Sequence, residues 1–267
     1  MTIRYSVSDH VAVVTLDRPE ALNALDIDTL TELRARLSDA RDDDDVRVIV
    51  ITGAGAKSFC VGADLKRTLP PSTSFGSSFV KSIDRAGAEG IYVRLMELSS
   101  LRIFKPMIAA INGFCLGGGL ELALQCDLRI ASKGAVFGLP EAVVASIPAV
   151  CGIQALQRAV PSAIAMKMLL TGCRIDAEYA HRIGLVSDLA EPEALMDEAM
   201  QLARVIAANG PLAVQMIKKV IETSANVPFA QALEFTELAW GVMRESEDRV
   251  EGRKAFAEKR SPRYSGR

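Results

Sequence analysis

Histidine and cysteine are scarce in this chain, and their spacing argues against several kinds of site. The sequence has two histidines and five cysteines, with no C-x-x-C pair. The cysteines are Cys60, Cys115, Cys126, Cys151 and Cys173. Neither His10 nor His181 has a second histidine or a cysteine at the spacing of metal ligands, so we predict no metal site. An odd number of cysteines in mostly apolar contexts favours reduced core residues over disulfides or a thiol nucleophile.

A large charge of one sign and a long hydrophobic run are also absent. The net charge of −2 gives no electrostatic reason to bind nucleic acid or an anionic membrane. No apolar run approaches the ~20 residues that a membrane span needs, and the N-terminus lacks the pattern of a signal or transit peptide. We therefore expect a cytoplasmic protein with no nucleic-acid or membrane partner.

The residues that are abundant predict a large core built from alternating strands and helices. Hydrophobic residues make up 49% of the 267 residues, enough for one or two domains. A strand-like alternation over 3–16 is followed by an amphipathic helix that Asp26 or Asp28 can cap. Strands that alternate with helices in this half predict a mostly parallel sheet. Helical patterns cover 163–170, 176–184, 193–208, 211–222, 229–243 and 249–260.

Four consecutive aspartates at 42–45 invite comparison with a calcium or magnesium site. They stand just before the apolar run at 46–51, which predicts a buried strand, and they lack the spacing of an EF-hand loop. A solvated turn between a helix and a strand is therefore the favoured interpretation.

The stretch at 105–141, KPMIAAINGFCLGGGLELALQCDLRIASKGAVFGLPE, has the most informative pattern. It predicts a buried strand over Met107–Ile111, a turn at Asn112-Gly113 and a helix that opens after the glycines at 117–119. Those glycines let another group approach the backbone, and the first turn of a helix presents unpaired N–H groups with partial positive charge. Glu121 lies on the same face one turn on, so its carboxylate shares a site with whatever these groups hold. The alternative is close packing against a sheet, with the glutamate as a partner of the helix dipole.

Two further segments favour the catalytic interpretation. FCVGADLK at 59–66 follows a strand-like run, and FGLPE at 137–141 supplies a second carboxylate, Glu141, in an apolar loop. With LDRPEALNAL, VIVITGAGAKSFCVGADL, TGCRIDAEYAHRIGLV and the closing AFAEKR, the ordered series resembles the crotonase (enoyl-CoA hydratase/isomerase) superfamily over nearly the whole chain.

The resemblance implies a fold and an assembly. The expected fold class is α/β, a crotonase-like spiral of repeated β-β-α units over 1–195 that holds the CoA and acyl site. A helical C-terminal region over 196–267 is expected to close the CoA site and to form homotrimers or dimers of trimers.

The resemblance also implies which residues act. The backbone N–H groups of Ala63 and Gly118 would hold the thioester oxygen of an acyl-CoA, while Glu121 and Glu141 hold and activate a water. Donors fixed in advance at a developing enolate oxygen contribute roughly 3 to 4 kcal/mol each. Coenzyme A enters as part of the substrate, so no separate cofactor is expected. The residues that the resemblance places against the acyl-CoA are Ala24, Ala63, Asp64, Leu65, Lys66, Gly117, Gly118, Phe256 and Lys259.

Three features set this chain apart from a simple straight-chain hydratase. Ala149-Val150-Cys151 follows Pro148 where similar hydratases have a Gly-rich run, and side chains there are expected to narrow the acyl pocket or move the water. The Pro/Ser/Thr-rich segment 67–78 predicts a mobile loop, and the resemblance makes it and the helix over about 80–102 the walls of the acyl pocket. The ending SEDRVEGRKAFAEKRSPRYSGR and FGLPEA resemble the crotonobetainyl-CoA hydratase branch, although aromatic residues at 5% point to no cage for a quaternary ammonium.

Three functions stay open at this stage. The presence of both Glu121 and Glu141 favours hydration of a 2-enoyl-CoA. Double-bond isomerisation needs only one base and no bound water. A non-catalytic acyl-CoA-binding protein needs the N–H donors and neither glutamate.

Overall fold

Ten strands form two sheets in the computed structural model, which describes residues 2–67, 74, 76, 80–83, 85 and 92–267. The six-stranded sheet has the order β1 (Ile3–Ser8), β2 (Val11–Leu16), β3 (Val48–Gly53), β5 (Met107–Ile111), β7 (Leu128–Ser132) and β10 (Asp188–Ala190). The four-stranded sheet has the order β4 (Ser58–Cys60), β6 (Phe114–Leu116), β8 (Val136–Gly138) and β9 (Ile175–Asp176). Successive turns of the chain therefore add one strand to each sheet.

Most neighbouring strands are parallel. β2, β3, β5, β7 and β10 pair in parallel within the large sheet, as do β4, β6 and β8 within the small one. Only β1 with β2 and β8 with β9 are antiparallel among the described pairs. The predicted α/β arrangement of repeated β-β-α units is confirmed.

Ten α-helices lie within the described ranges. They are α1 (Ile27–Asp42), α2 (Tyr92–Met96), α3 (Gly118–Leu124), α4 (Gly152–Ala159), α5 (Ser162–Thr171), α6 (Ala177–Arg182), α7 (Leu195–Ala207), α8 (Pro211–Ser224), α9 (Phe229–Arg244) and α10 (Glu247–Ala257). Short 3-10 turns occupy Pro19–Ala21, Ser99–Leu101 and Pro140–Val144. The helices predicted for the C-terminal part are all present, with ends that differ by at most three residues.

Local chemistry explains where the first helix begins and ends. Asp26, not Asp28, is the N-cap, because its Oδ1 accepts the N–H of Thr29 at 2.9 Å. α1 ends at Asp42, and the remaining aspartates of the run form the turn before β3. The predicted solvated turn between helix and strand is thus confirmed.

The core consists of two apolar layers on opposite faces of the large sheet. Along β3, Ile49 and Ile51 face the larger layer, which includes the buried leucines of α1. Val48 and Val50 face the other layer, where the small side chains of α7 pack. A strand buried on both faces needs apolar residues at every position, which is why this segment has no alternation.

α7 begins at the predicted boundary between the core and the C-terminal region. Its buried residues Leu195, Ala199, Ala203 and Ala207 pack on the large sheet. The division into 1–195 and 196–267 stays a prediction, and the first C-terminal helix is part of the core.

The proposed acyl-pocket walls are only partly described. Within the predicted mobile loop over 67–78, only 67, 74 and 76 belong to the described residues, so that prediction lies mostly outside them. Of the helix predicted over about 80–102, the structure describes α2 and the 3-10 turn that follows.

All five cysteines are free thiols. No helix in the described ranges combines the length and hydropathy needed to cross a bilayer.

Gly119 permits the closest contact between α3 and the small sheet. A Cβ on Gly119 would overlap the carbonyl oxygen of Cys60, so Gly119→Ala should lower the free energy of unfolding by about 1–3 kcal/mol. Gly134→Ala is the control, because its nearest neighbour, Ser132 Oγ, lies at 3.8 Å. Urea denaturation measures both, and equal midpoints for the two variants would contradict the close contact.

Candidate active site

The start of α3 touches the loop that follows β4. A Cβ on Gly62 would lie 2.7 Å from the amide nitrogen of Gly118, and Gly62 has a φ of +88°. Glycine is required there because a side chain would both strain the backbone and collide with α3. The loop at 62–63 and the first N–H of α3 are therefore neighbours.

The Ala63 amide points away from its own β-bridge. Ala63 bridges Leu25 in parallel, with Leu25 N–H donating to Gly62 O at 2.8 Å and Asp64 N–H donating to Leu25 O at 2.9 Å. Because N–H groups of successive residues in an extended segment point to opposite sides, the N–H of Ala63 faces away from Leu25. Neither this N–H nor that of Gly118 is paired with another described residue. The two form a pair of free donors, as oxyanion stabilisation requires.

Glu121 is held by the N-terminus of α4. Its side chain is buried, and its Oε1 accepts the N–H groups of Val150 and Cys151 at 3.0 Å and of Gly152 at 2.8 Å. Three N–H donors at a helix start stabilise a negatively charged acceptor and fix its direction. Oε2 has no hydrogen-bond partner among the described residues and is left for the site.

Val150 and Cys151, in the segment Ala149-Val150-Cys151, supply two of these donors, and Gly152 supplies the third. Only Gly152 needs to be glycine, since a Cβ there would lie 3.0 Å from Glu121 Oε1 and 2.8 Å from Pro148 Cβ. Backbone donation does not depend on the neighbouring side chains, and Val150 packs against the apolar core. The departure from a Gly-rich run therefore keeps the contact to Glu121.

Glu141 has a different environment, in the 3-10 turn after β8. Its Oε1 approaches Gly117, where a Cβ would lie 3.2 Å from that oxygen. Its Oε2 is buried without a hydrogen-bond partner among the described residues. Burial raises the pKa of Glu141 above its usual range, its own backbone hydrogen bond opposes the shift, and the charge of Glu121 adds to it. The two glutamates thus differ: Glu121 accepts three N–H groups, while burial raises the pKa of Glu141.

Tyr92 is a further residue of this region, and no sequence motif identified it. It lies half-buried at the start of α2 and packs against the core. Burial raises the pKa of Tyr92, and the negative charges of Glu121 and Glu141 raise it further. The only sequence signal was the expectation that this helix walls the acyl pocket.

Arg18 is a second residue that the sequence analysis missed. Its Nη1 donates to Ala24 O at 2.7 Å, and its Nη2 donates to Asp64 Oδ2 at 2.8 Å. It also pairs with Asp26 at 3.2 Å. The hydrogen bond from Arg18 lowers the pKa of Asp64. Arg18 therefore ties the loop beside Ala63 to the segment before α1, and Asp64 acts within this network.

The other residues predicted to contact coenzyme A lie in two places, beside the Ala63 loop and at the end of α10. Leu65 and Lys66 are exposed beside the Ala63 loop. Phe256 is 87% exposed near the end of α10, and Lys259 follows that helix with a φ of +52°. No described hydrogen bond or ion pair joins α10 to the loop at 62–66. These roles stay predictions.

Comparison with known proteins identifies the family. The model of the enoyl-CoA hydratase/isomerase family matches residues 6–267. The chain belongs to the enoyl-CoA hydratase/isomerase family. It is 47% identical over 266 residues to the (E)-benzylidenesuccinyl-CoA hydratase of Thauera aromatica, covering 100% of both chains. It is 38% identical over 261 residues to a carnitinyl-CoA dehydratase of Citrobacter koseri, covering 95% of this chain and 94% of the other.

Solved structures of this family confirm the predicted crotonase fold. The structure of an enoyl-CoA hydratase from Bacillus anthracis superposes with a TM-score of 0.90 at 35% identity, covering 100% of both chains. The resemblance drawn from the sequence is therefore confirmed, and the protein is an enzyme of the enoyl-CoA hydratase/isomerase family. An acyl-CoA thioester is the substrate class that this family implies.

The two glutamates should affect stability in opposite ways. Glu121→Gln weakens three hydrogen bonds to a charged acceptor and should lower the free energy of unfolding by about 1–3 kcal/mol. Glu141→Gln removes a group whose raised pKa costs stability at pH 7, so its free energy of unfolding should equal or exceed that of the wild type.

The pH dependence of the free energy of unfolding checks the raised pKa of Glu141. A pKa of Glu141 raised on folding means that the folded protein binds the proton more tightly than the unfolded chain does. Its carboxylate therefore costs stability at pH 7, and the cost disappears as the pH falls toward and below the usual value of 4.5. Urea denaturation from pH 7 to pH 4.5 should show the advantage of Glu141→Gln shrinking. A gap that widens over this range would contradict the raised pKa.

Proposed function

We propose that this protein is an enoyl-CoA hydratase, which adds water across the 2,3 double bond of an acyl-CoA thioester. The observation that carries the proposal is the placement of two glutamates with different environments beside a pair of free backbone donors. A carboxylate that accepts three N–H groups and a carboxyl whose pKa is raised by burial are suited to opposite halves of an acid–base reaction.

The donor pair acts on the thioester. In the proposed mechanism, the N–H groups of Ala63 and Gly118 bind the carbonyl oxygen and stabilise the enolate that forms as water adds. Each donor is worth roughly 3 to 4 kcal/mol in the transition state. Coenzyme A is part of the substrate, and its remaining contacts supply binding energy that positions the alkene.

The glutamates divide the proton transfers. Glu121 takes a proton from water as the oxygen attacks C3, and the alkene electrons move onto the thioester oxygen. Collapse of the enolate then takes the proton of Glu141 onto C2. A proton passes back from Glu121 to Glu141 through solvent, so one water molecule is consumed and both carboxyls return to their starting states.

Similarity to relatives narrows the acyl group. The 47% identity to (E)-benzylidenesuccinyl-CoA hydratase favours an acyl chain that carries an aromatic substituent. Tyr92 and the buried Met96, both on α2, offer an apolar wall next to the start of α3. A trimethylammonium group, as in crotonobetainyl-CoA, needs an aromatic cage that the scarcity of aromatic residues does not favour.

Substitution of the two carboxylates distinguishes a hydratase from an isomerase. Glu121→Gln and Glu141→Gln should each lower kcat for hydration by 10² to 10⁴, roughly the worth of general acid–base catalysis. The double variant should lose little more than the worse single variant, because both groups act on one water. The assay follows loss of conjugated thioester absorbance with (E)-benzylidenesuccinyl-, crotonyl- and crotonobetainyl-CoA.

Labelled water decides between the three functions. In ¹⁸O-water the hydratase must place the label at C3 of a 3-hydroxyacyl-CoA. Double-bond migration without label, lost in only one glutamate variant, would indicate an isomerase. Binding of acyl-CoA without turnover of any thioester would indicate a binding protein and remove the hydratase assignment.

We also propose that the protein forms homotrimers or dimers of trimers through its C-terminal helices. α8 and α9 expose Ile217, Ile221, Leu238 and Trp240, each more than half accessible, an apolar surface of the kind that marks subunit contacts. Light scattering at micromolar concentration should give an oligomeric mass, and Leu238→Glu should reduce it. A stable wild-type monomer would contradict this proposal.

A further inference from the structure

Gln125 fastens α2 to the helix that carries Glu121. Its Nε2 donates to Met96 O at 3.0 Å and to Glu121 O at 3.2 Å. Its Oε1 accepts the N–H of Leu98 at 2.8 Å. One side chain thus links the end of α2 to α3 through three hydrogen bonds.

The same face of α2 is turned toward the site. Met96 lies against the first donor of α3, because a Cβ on Gly118 would lie 2.5 Å from Met96 Cε. Tyr92 precedes Met96 by four residues, which places both on one helix face. Tyr92 therefore continues the face of α2 that meets the start of α3, and the charges of Glu121 and Glu141 both raise the pKa of its phenol.

Three polar atoms in this space have no described partner. Glu141 Oε2 is buried and unpaired, while Glu121 Oε2 and the Tyr92 hydroxyl make no hydrogen bond to any described residue. Of the three, Glu141 Oε2 is shielded from bulk water, and such polar groups are nearly always satisfied. One water with two to four polar partners can satisfy it together with the other two atoms.

We propose that the Tyr92 hydroxyl donates a hydrogen bond to the reacting water and, with Glu121 and Glu141, fixes its position for attack on C3. The inference rests on the proposed hydratase function and adds a third group to it. Tyr92 neither gains nor loses a proton in the reaction. Since burial and two nearby negative charges favour its protonated form, the phenol acts as donor while a glutamate accepts the proton of the water.

Tyr92→Phe tests this role because it removes the hydroxyl and keeps the ring. Loss of one hydrogen bond to the reacting water should lower kcat for hydration about tenfold. The Kd for butyryl-CoA, which cannot be hydrated, and the melting temperature should stay at wild-type values. A residue that only supports the packing of α2 would change the melting temperature or the Kd as well.

The control is Tyr179→Phe on α6, where the hydroxyl is removed from a ring that packs under Arg182 at 5.0 Å. This variant should keep the wild-type kcat. An unchanged kcat in Tyr92→Phe, or a weakened Kd in proportion to the fall in kcat, overturns the proposal. Absence of hydration by the wild type itself removes the proposed function and the role of Tyr92 with it.

Discussion

The approach of the α3 backbone to the loop after β4 is the constraint on which the site depends. β4 and β6 lie side by side in the small sheet, with Ser58 opposite Phe114 and Cys60 opposite Cys115. The segments that leave these two strands must therefore pass each other closely. Glycine at Gly62 and Gly119 removes the side chains that would hold them apart. The N–H groups of Ala63 and Gly118 become neighbours because the chain winds as a spiral, in which the two residues follow adjacent strands of the small sheet.

The network around Arg18 holds the other side of the same loop. Asp26 accepts from Thr29 and pairs with both Arg18 and Arg67, while Asp64 pairs with Arg18. Two positive and two negative side chains balance one another in a partly desolvated place. Such a network adds little net stability, but loss of one member leaves an uncompensated charge. The network ties the Ala63 loop to the segment before α1 through Arg18.

Sequence patterns predicted those parts of the molecule that short segments determine. β5 and the helix that carries Glu121 follow from an apolar run, a turn and three glycines within one segment. β6 was missed because its three residues between glycines are too few to show a pattern. Tyr92 and Gln125 gain their significance only when α2 packs against α3, which depends on contacts between distant parts of the chain. The choice of Asp26 over Asp28 as N-cap was likewise open until the backbone geometry was known.

The proposed chemistry of the site depends largely on main-chain N–H groups, and this affects how an acyl group would be selected. Both proposed oxyanion donors are main-chain N–H groups, and so are the three that hold Glu121. Side chains at Ala63, Val150 and Cys151 can therefore change without removing a donor, provided that Gly152 keeps its place against Glu121. In the proposed function, Tyr92 and Met96 of α2 border the acyl group. In the proposed function, α2 then serves both purposes: Met96 and the ring of Tyr92 border the acyl group, while the Tyr92 hydroxyl acts on the water beside the two glutamates and the donor pair.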